Sequence, residues 1–203
     1  MILPNPLQLL GNVGSPYTRK MIALLRYRRI PHTPIWQNPW DRESSDNVLV
    51  KLGIDAPKPM LLPTFLLPDE SGELRAVCDS TPIIRILENK VQERQVVPHD
   101  PVMAFIDYLL EDFGDEWCTK YMFHYRWHFQ ADAENAGTLL PLGIDVTLAE
   151  DALRIRKEFI RMRQVERLWV VGSNETTAPI IDASYRRFLK AMDTHLENVP
   201  FML

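Results

Sequence analysis

The chain has 203 residues, 46% of them hydrophobic and 25% charged, with 8 Gly against 16 Pro, which is ordinary composition for a globular protein with room for two small cores. No stretch is apolar for long enough to span a bilayer, the N-terminus lacks a basic leader-like segment, and Cys78 and Cys118 have no metal or redox spacing, so a cytoplasmic protein without a disulfide framework is expected. The net charge of -4 is uneven: residues 1–94 carry +2 and the rest -6, too weak a basic bias for nucleic acid but suited to a small anionic ligand.

In chain order, Leu7-Gln8-Leu9-Leu10 reads as a short strand closed by Gly11, with a loop through Gly14-Ser15-Pro16. Met21, Ile22, Leu24 and Leu25 recur at helical spacing over Thr18 to Arg29, and that helix must stop before Pro31. A second strand is expected near Thr33 to Trp36, then a polar loop and a short helix around Ser45 to Leu52. Pro59 to Leu67 reads as a buried strand entered at Pro63, with turn chemistry at Asp69-Glu70-Ser71-Gly72 and a partner strand from Leu74 to Cys78. Asp79-Ser80 supplies capping side chains for a helix whose apolar stripe is Ile83, Ile84, Ile86 and Leu87. The order β-α-β-(α)-β-β-α predicts a small α/β domain over residues 1–93.

Residues 94–101 are expected to be a linker, and residues 102–203 an all-α helical domain. One long helical segment is predicted from Val102 to Ala133. A second opens on the capping-box pattern Thr147-Leu148-Ala149-Glu150 and runs to Gly172, and a third spans Ala178 to Leu196. His124 and His128 share a helical face but lack the general-base Glu of a zinc protease, so they read as packing or pocket lining and no metal is expected. Cys118 reads as a small buried hydrophobe. The Arg-rich run Arg154, Arg156, Lys157, Arg161, Arg163 and Arg167 is broken by Glu158 and Glu166, and reads as a solvated face.

Three motifs of the first half carry chemistry. Ser15-Pro16-Tyr17-Thr18 lies between a strand and a helix, where backbone N–H groups and the helix dipole favour an anion. Leu62-Pro63 stands at the entry of the next strand. Asp79-Ser80 opens a helix, the serine and free N–H groups suiting a carboxylate and the aspartate an ammonium. Ser15-Pro16-Tyr17-Thr18-Arg19-Lys20, Leu62-Pro63-Thr64-Phe65 and Asp79-Ser80-Thr81-Pro82-Ile83-Ile84, in that order, resemble the N-terminal domain of the cytosolic glutathione transferases, and Glu111 to Trp127 resembles a bacterial group of the same family.

The resemblance implies a thioredoxin-like N-terminal domain followed by an all-α domain, in a serine-type glutathione transferase that forms a homodimer. Glutaredoxins carry Cys-Pro-Tyr-Cys where this chain has Ser15 to Thr18, so disulfide exchange is not expected. Ser15 would be the catalytic hydroxyl, favouring the thiolate of glutathione, the co-substrate, for attack on a small apolar electrophile. Leu62, followed by a cis Pro63, would hold the cysteinyl part; Asp79 and Ser80 would hold the γ-glutamyl end. Tyr17 and Tyr121 would line the electrophile pocket. Lys51 and Lys58 are the candidates for the glycyl end, Leu61 standing where some relatives carry a basic residue. Relatives continue past the segment resembling Asn198 to Leu203 into a capped core helix and further helices, so the resemblance implies either a fragment or an unusually short helical half. The alternative is a non-catalytic protein that kept the fold for binding or assembly.

Overall fold

The computed structural model describes residues 2–202; Met1 and Leu203, the ends of the two expected domains, lie outside it. The chain divides into two compact units: the residues up to Val97 with Leu139–Leu148, and Pro98–Thr138 with the residues from Ala149 on. The first holds a thioredoxin-like mixed sheet and the second is helical.

The sheet runs β2-β1-β3-β4, from β1 (Leu7–Leu10), β2 (His32–Ile35), β3 (Thr64–Pro68) and β4 (Leu74–Cys78). β1 pairs parallel with β2 and antiparallel with β3, and β3 pairs antiparallel with β4. Parallel pairing needs a crossover, supplied by helix α1 (Pro16–Tyr27). Alternation along the strands sorts the core into two faces. Leu7, Leu9, Phe65 and Leu67 pack with Met21 and Leu25 of α1 and with Ile83, Ile84 and Leu87 of α3 (Ser80–Lys90). Leu10 and Leu66 face the other way, onto Leu49 of the short α2 (Val48–Lys51). Each fully buried Leu or Phe contributes about 1.5–3 kcal/mol.

The first-half elements fall where periodicity put them, with shifts at their ends. α1 begins two residues earlier than expected because Ser15 caps it and Pro16 takes the first turn, where a missing N–H costs nothing. β2 lies one residue upstream of its expected span. The expected strand from Pro59 shrinks to Thr64–Pro68, since Pro59 and Pro63 have no N–H for a ladder and Met60 and Leu61 are exposed.

In the second unit the long helix expected from Val102 to Ala133 is interrupted. α4 (Pro101–Asp112) passes through a π-helical segment, Phe113–Cys118, into α5 (Thr119–Trp127); α6 (Gln130–Leu142) then begins afresh and runs well past Ala133. α7 (Glu150–Val165) is not capped by Thr147: its N-cap is Ala149, because the Thr147 N–H and hydroxyl both donate to Asp145 Oδ1, at 2.9 and 2.6 Å. Gly172, at φ +69, ends a 3-10 turn, Leu168–Val171, that follows α7. α8 (Ala178–Leu196) matches its expected span and packs on the preceding helices through Phe113–Phe188 and Tyr121–Tyr185 ring contacts at 5.5 and 5.3 Å. Cys118, expected to be buried, is only partly so, and both cysteines are free thiols. Among the described residues no helix is long and apolar enough to cross a membrane.

Candidate functional site

Strand register brings the three sequence motifs to one edge of the sheet. Leu10 at the end of β1 pairs with Thr64 at the start of β3, and Thr64 pairs with Cys78 at the end of β4. The Gly11–Ser15 loop, the Leu62-Pro63 peptide and the Asp79-Ser80 helix start therefore leave the sheet side by side.

Ser15 is the N-cap of α1, its Oγ accepting from the Thr18 N–H at 3.2 Å. A hydroxyl has one proton and two lone pairs, so this cap leaves the Ser15 proton available for donation. The loop before it is built by Asn12, which is buried. Its Oδ1 accepts from the Gly14 N–H at 2.8 Å, its Nδ2 donates to the Leu140 carbonyl at 3.1 Å, and its own carbonyl accepts from the Ser15 N–H at 3.0 Å. Gly11 is required by close approach, since a Cβ there would stand 2.6 Å from Thr18 Cγ2.

The Leu62-Pro63 peptide bond is cis. Pro63 is buried and Leu62 half-buried, and among the described residues no group hydrogen-bonds the Leu62 main chain. Thr64 Oγ1 donates to the Leu61 carbonyl at 2.7 Å, and Cys78 Sγ donates to the Pro59 carbonyl at 3.1 Å, which fixes the approach to the peptide. Burial pushes the Cys78 thiol up, away from thiolate character.

Asp79 caps α3, accepting from the Thr81 N–H at 3.3 Å, and holds φ +79, a conformation that side-chain-bearing residues rarely adopt. Its carboxylate is exposed. Ser80 beside it is buried, and its Oγ accepts from Lys20 Nζ at 3.1 Å. Lys20 adds a cation to the hydroxyl and dipole at this helix start, a contribution that was not visible in its own neighbourhood of sequence. Of the two lysines considered for the glycyl end, Lys51 is exposed and paired with Asp46 at 3.0 Å, and Lys58 is exposed.

Tyr17, the second residue of α1, is half-buried in the first unit. Tyr121 belongs to the helical unit, where its hydroxyl is 2.7 Å from Ser184 Oγ. His124 and His128 stack at 4.6 Å between ring centroids; His124 is buried, with Nδ1 2.8 Å from Ser173 Oγ. Among the described residues no cluster of three or more His, Cys, Asp or Glu is placed to hold a metal ion.

Residues 9–95 match the glutathione S-transferase N-terminal domain. That span contains Asn12, Ser15, Tyr17, Lys20, Leu62, Pro63, Asp79 and Ser80. No curated protein sequence matches the chain. Among solved structures, the chain is similar to a glutathione S-transferase from Methylobacterium radiotolerans in complex with glutathione sulfonate, at 20% identity and a TM-score of 0.46, covering 79% of this chain and 62% of that one. It therefore spans less than two thirds of that relative. It is also similar to glutathione transferase Omega 1C from Trametes versicolor, at 13% identity and a TM-score of 0.43 over 92% and 98% of the two chains. A third similarity is to maleylacetoacetate isomerase from Anaeromyxobacter dehalogenans with bound dicarboxyethyl glutathione and citrate, at 13% identity and a TM-score of 0.40 over 87% and 83%.

Proposed function

We propose that this chain is a cytoplasmic, serine-type glutathione transferase-like enzyme, with residues 1–93 as its glutathione-binding domain. The observation that carries the reading is the strand register, which sets Ser15, Leu62 and Ser80 at one sheet edge. Glutathione is an extended tripeptide with a zwitterionic γ-glutamyl end. In this reading Asp79 takes its ammonium, while Ser80, Lys20 and the α3 N-terminus take its α-carboxylate. The Leu62 main chain pairs with its cysteinyl residue, and the thiol then lies toward Ser15.

Ser15 accepts from the Thr18 N–H, which polarises its hydroxyl and makes it a better donor. Donation to the sulfur favours thiolate. A free thiol has a pKa of about 8.5, and lowering it by about one to two units makes thiolate a major form near neutrality. The thiolate attacks an electrophilic carbon, forming a C–S bond, and the electron pair displaced leaves with the departing group or takes up a proton from water. Tyr17 and Tyr121 are the residues assigned to the apolar electrophile, and the family's homodimer is part of the same reading.

Calorimetric titration with glutathione, on the wild type and Ser80→Ala, tests the binding half. Millimolar or tighter binding that weakens at least about fivefold in the variant is expected, the loss of one charge-assisted hydrogen bond. A folded wild type that ignores millimolar glutathione overturns the reading. With binding established, Ser15→Ala separates an enzyme from a binding protein that kept the fold: turnover of a generic electrophile such as a dinitrohalobenzene must collapse while glutathione still binds.

A further inference from the structure

The loop that carries Ser15 is held from the side by the last turn of α6, which belongs to the same compact unit. The last four carbonyls of a helix have no partner inside it. Here the Leu139 carbonyl accepts from the Gly143 N–H at 2.9 Å, and the Pro141 carbonyl accepts from both Ile144 and Asp145, at 3.0 and 3.1 Å. The Leu140 carbonyl between them receives no main-chain N–H among the described residues. Its donor is Asn12 Nδ2, at 3.1 Å.

Both sides of this contact give up side chains to come so close. A Cβ at Gly14 would stand 2.4 Å from Leu140 Cδ2, and one at Gly143 would stand 2.8 Å from Val13 Cγ2 and 3.3 Å from Asn12 Oδ1. Asn12 then passes the anchor on to the loop. Its Oδ1 holds the Gly14 N–H at 2.8 Å, and its carbonyl holds the Ser15 N–H at 3.0 Å. A local Asx turn closes with the first of these bonds and needs no contact 128 residues away. The Ser15 carbonyl is fixed from the other side by the Arg19 N–H at 3.1 Å, so the direction of the Ser15 side chain follows from where Asn12 is held.

We propose that Asn12, anchored on the end of α6, is a positioning residue for Ser15 and sets how far the bound glutathione thiol is activated without setting how tightly glutathione binds. The proposal rests on the glutathione reading above. In that reading the thiol proton leaves to solvent and the Ser15 hydroxyl donates to the sulfur anion left behind. A hydrogen bond weakens steeply as its angle closes, so a Ser15 that is free to swing loses much of that stabilisation. The γ-glutamyl end is assigned to Asp79, Ser80 and Lys20, none of which bonds to Asn12. Affinity and thiol acidity are therefore separable at this residue.

Two measurements on the wild type, Asn12→Ala, Asn12→Ser and Gly143→Ala test it: calorimetric titration with glutathione, and the pKa of the bound thiol from thiolate ultraviolet absorbance across pH. Asn12→Ala should raise that pKa by about one, a tenfold loss of thiolate at lower pH, and keep the glutathione affinity within about threefold. In Asn12→Ser the hydroxyl still serves the Gly14 N–H but is too short for Leu140, so it should behave like Asn12→Ala. Gly143→Ala leaves Asn12 intact, presses the helix end against Val13, and should shift the pKa in the same direction. Turnover of a dinitrohalobenzene should fall in step near neutrality and recover above about pH 8.5, where free thiols ionise unaided. A thiol pKa unchanged in Asn12→Ala and Gly143→Ala, a wild-type pKa in Asn12→Ser, or a loss confined to affinity overturns the proposal while the glutathione reading stands. A folded wild type that binds no glutathione overturns the reading itself, and the proposal with it.

Discussion

Lys20 Nζ donates to Ser80 Oγ across 3.1 Å, tying the fifth residue of α1 to the first residue of α3. The bond spans 60 residues of sequence and places a cation at a helix start already polarised toward anions. Under the glutathione reading, Lys20→Met therefore weakens glutathione binding by roughly tenfold, about 1.4 kcal/mol. The wild-type affinity should fall with added salt more steeply than that of the variant. Equal affinities and equal salt slopes in the two titrations would remove Lys20 from the site.

Asp79 pairs a strained backbone with the position that the glutathione reading assigns to the ammonium. A non-glycine residue at positive φ costs on the order of 1–3 kcal/mol, whereas replacing an aspartate cap by glycine costs only a few tenths. Asp79→Gly should leave the melting temperature unchanged or raise it by a few degrees, and should weaken glutathione binding through loss of the carboxylate. A lower melting temperature would mean that the Asp79 side chain holds the fold.

The two residues that complete the site's geometry are the ones the sequence hides. Ser15 and Asp79 are legible because cap chemistry is local: the side chain serves N–H groups two or three residues away. Lys20 acts 60 residues away and Asn12 reaches Leu140 across 128, so neither role leaves a trace in neighbouring residues. The same division holds for the fold. β4 and α8 follow from apolar periodicity, while the continuation of α6 past Ala133 is carried by small residues such as Ala136 and Gly137 that form no stripe. Thr147 is misleading because Asp145 competes for it.

Arg28 and Glu88 form a buried ion pair that fixes the far ends of α1 and α3. Nη1 stands 2.7 Å from Oε1 as an ion contact without an aligned hydrogen bond, while Nη2 donates to the Val91 and Glu93 carbonyls. Glu88 in turn accepts from the Val96 and Val97 N–H groups at 3.3 and 3.4 Å. Glu88→Leu strands a buried guanidinium and should cost about 3–5 kcal/mol in a urea unfolding series. The double variant Arg28→Met/Glu88→Leu should recover most of that loss. Full stability in the single variant would show that water or another carboxylate reaches Arg28.

Acid should loosen the helical unit through His124. Burial pushes its pKa down, the neighbouring His128 pushes in the same direction, and Asp182 opposes them. Tyr125, its hydroxyl 2.7 Å from Asp182 Oδ1, packs edge-on against the ring, and Ser173 Oγ meets Nδ1. With the folded pKa below the unfolded value of about 6.5, both states are neutral above that pH and His124 makes no difference there. Below it the unfolded chain binds the proton first, so stability falls with pH until the folded pKa is reached. The slope from this one group is at most about 1.4 kcal/mol per pH unit. Urea unfolding at pH 8, 6 and 5 should show the loss only in the acidic steps, and His124→Asn, which retains a polar partner for Ser173, should flatten it. A profile unchanged by that substitution would assign the acid sensitivity to other groups.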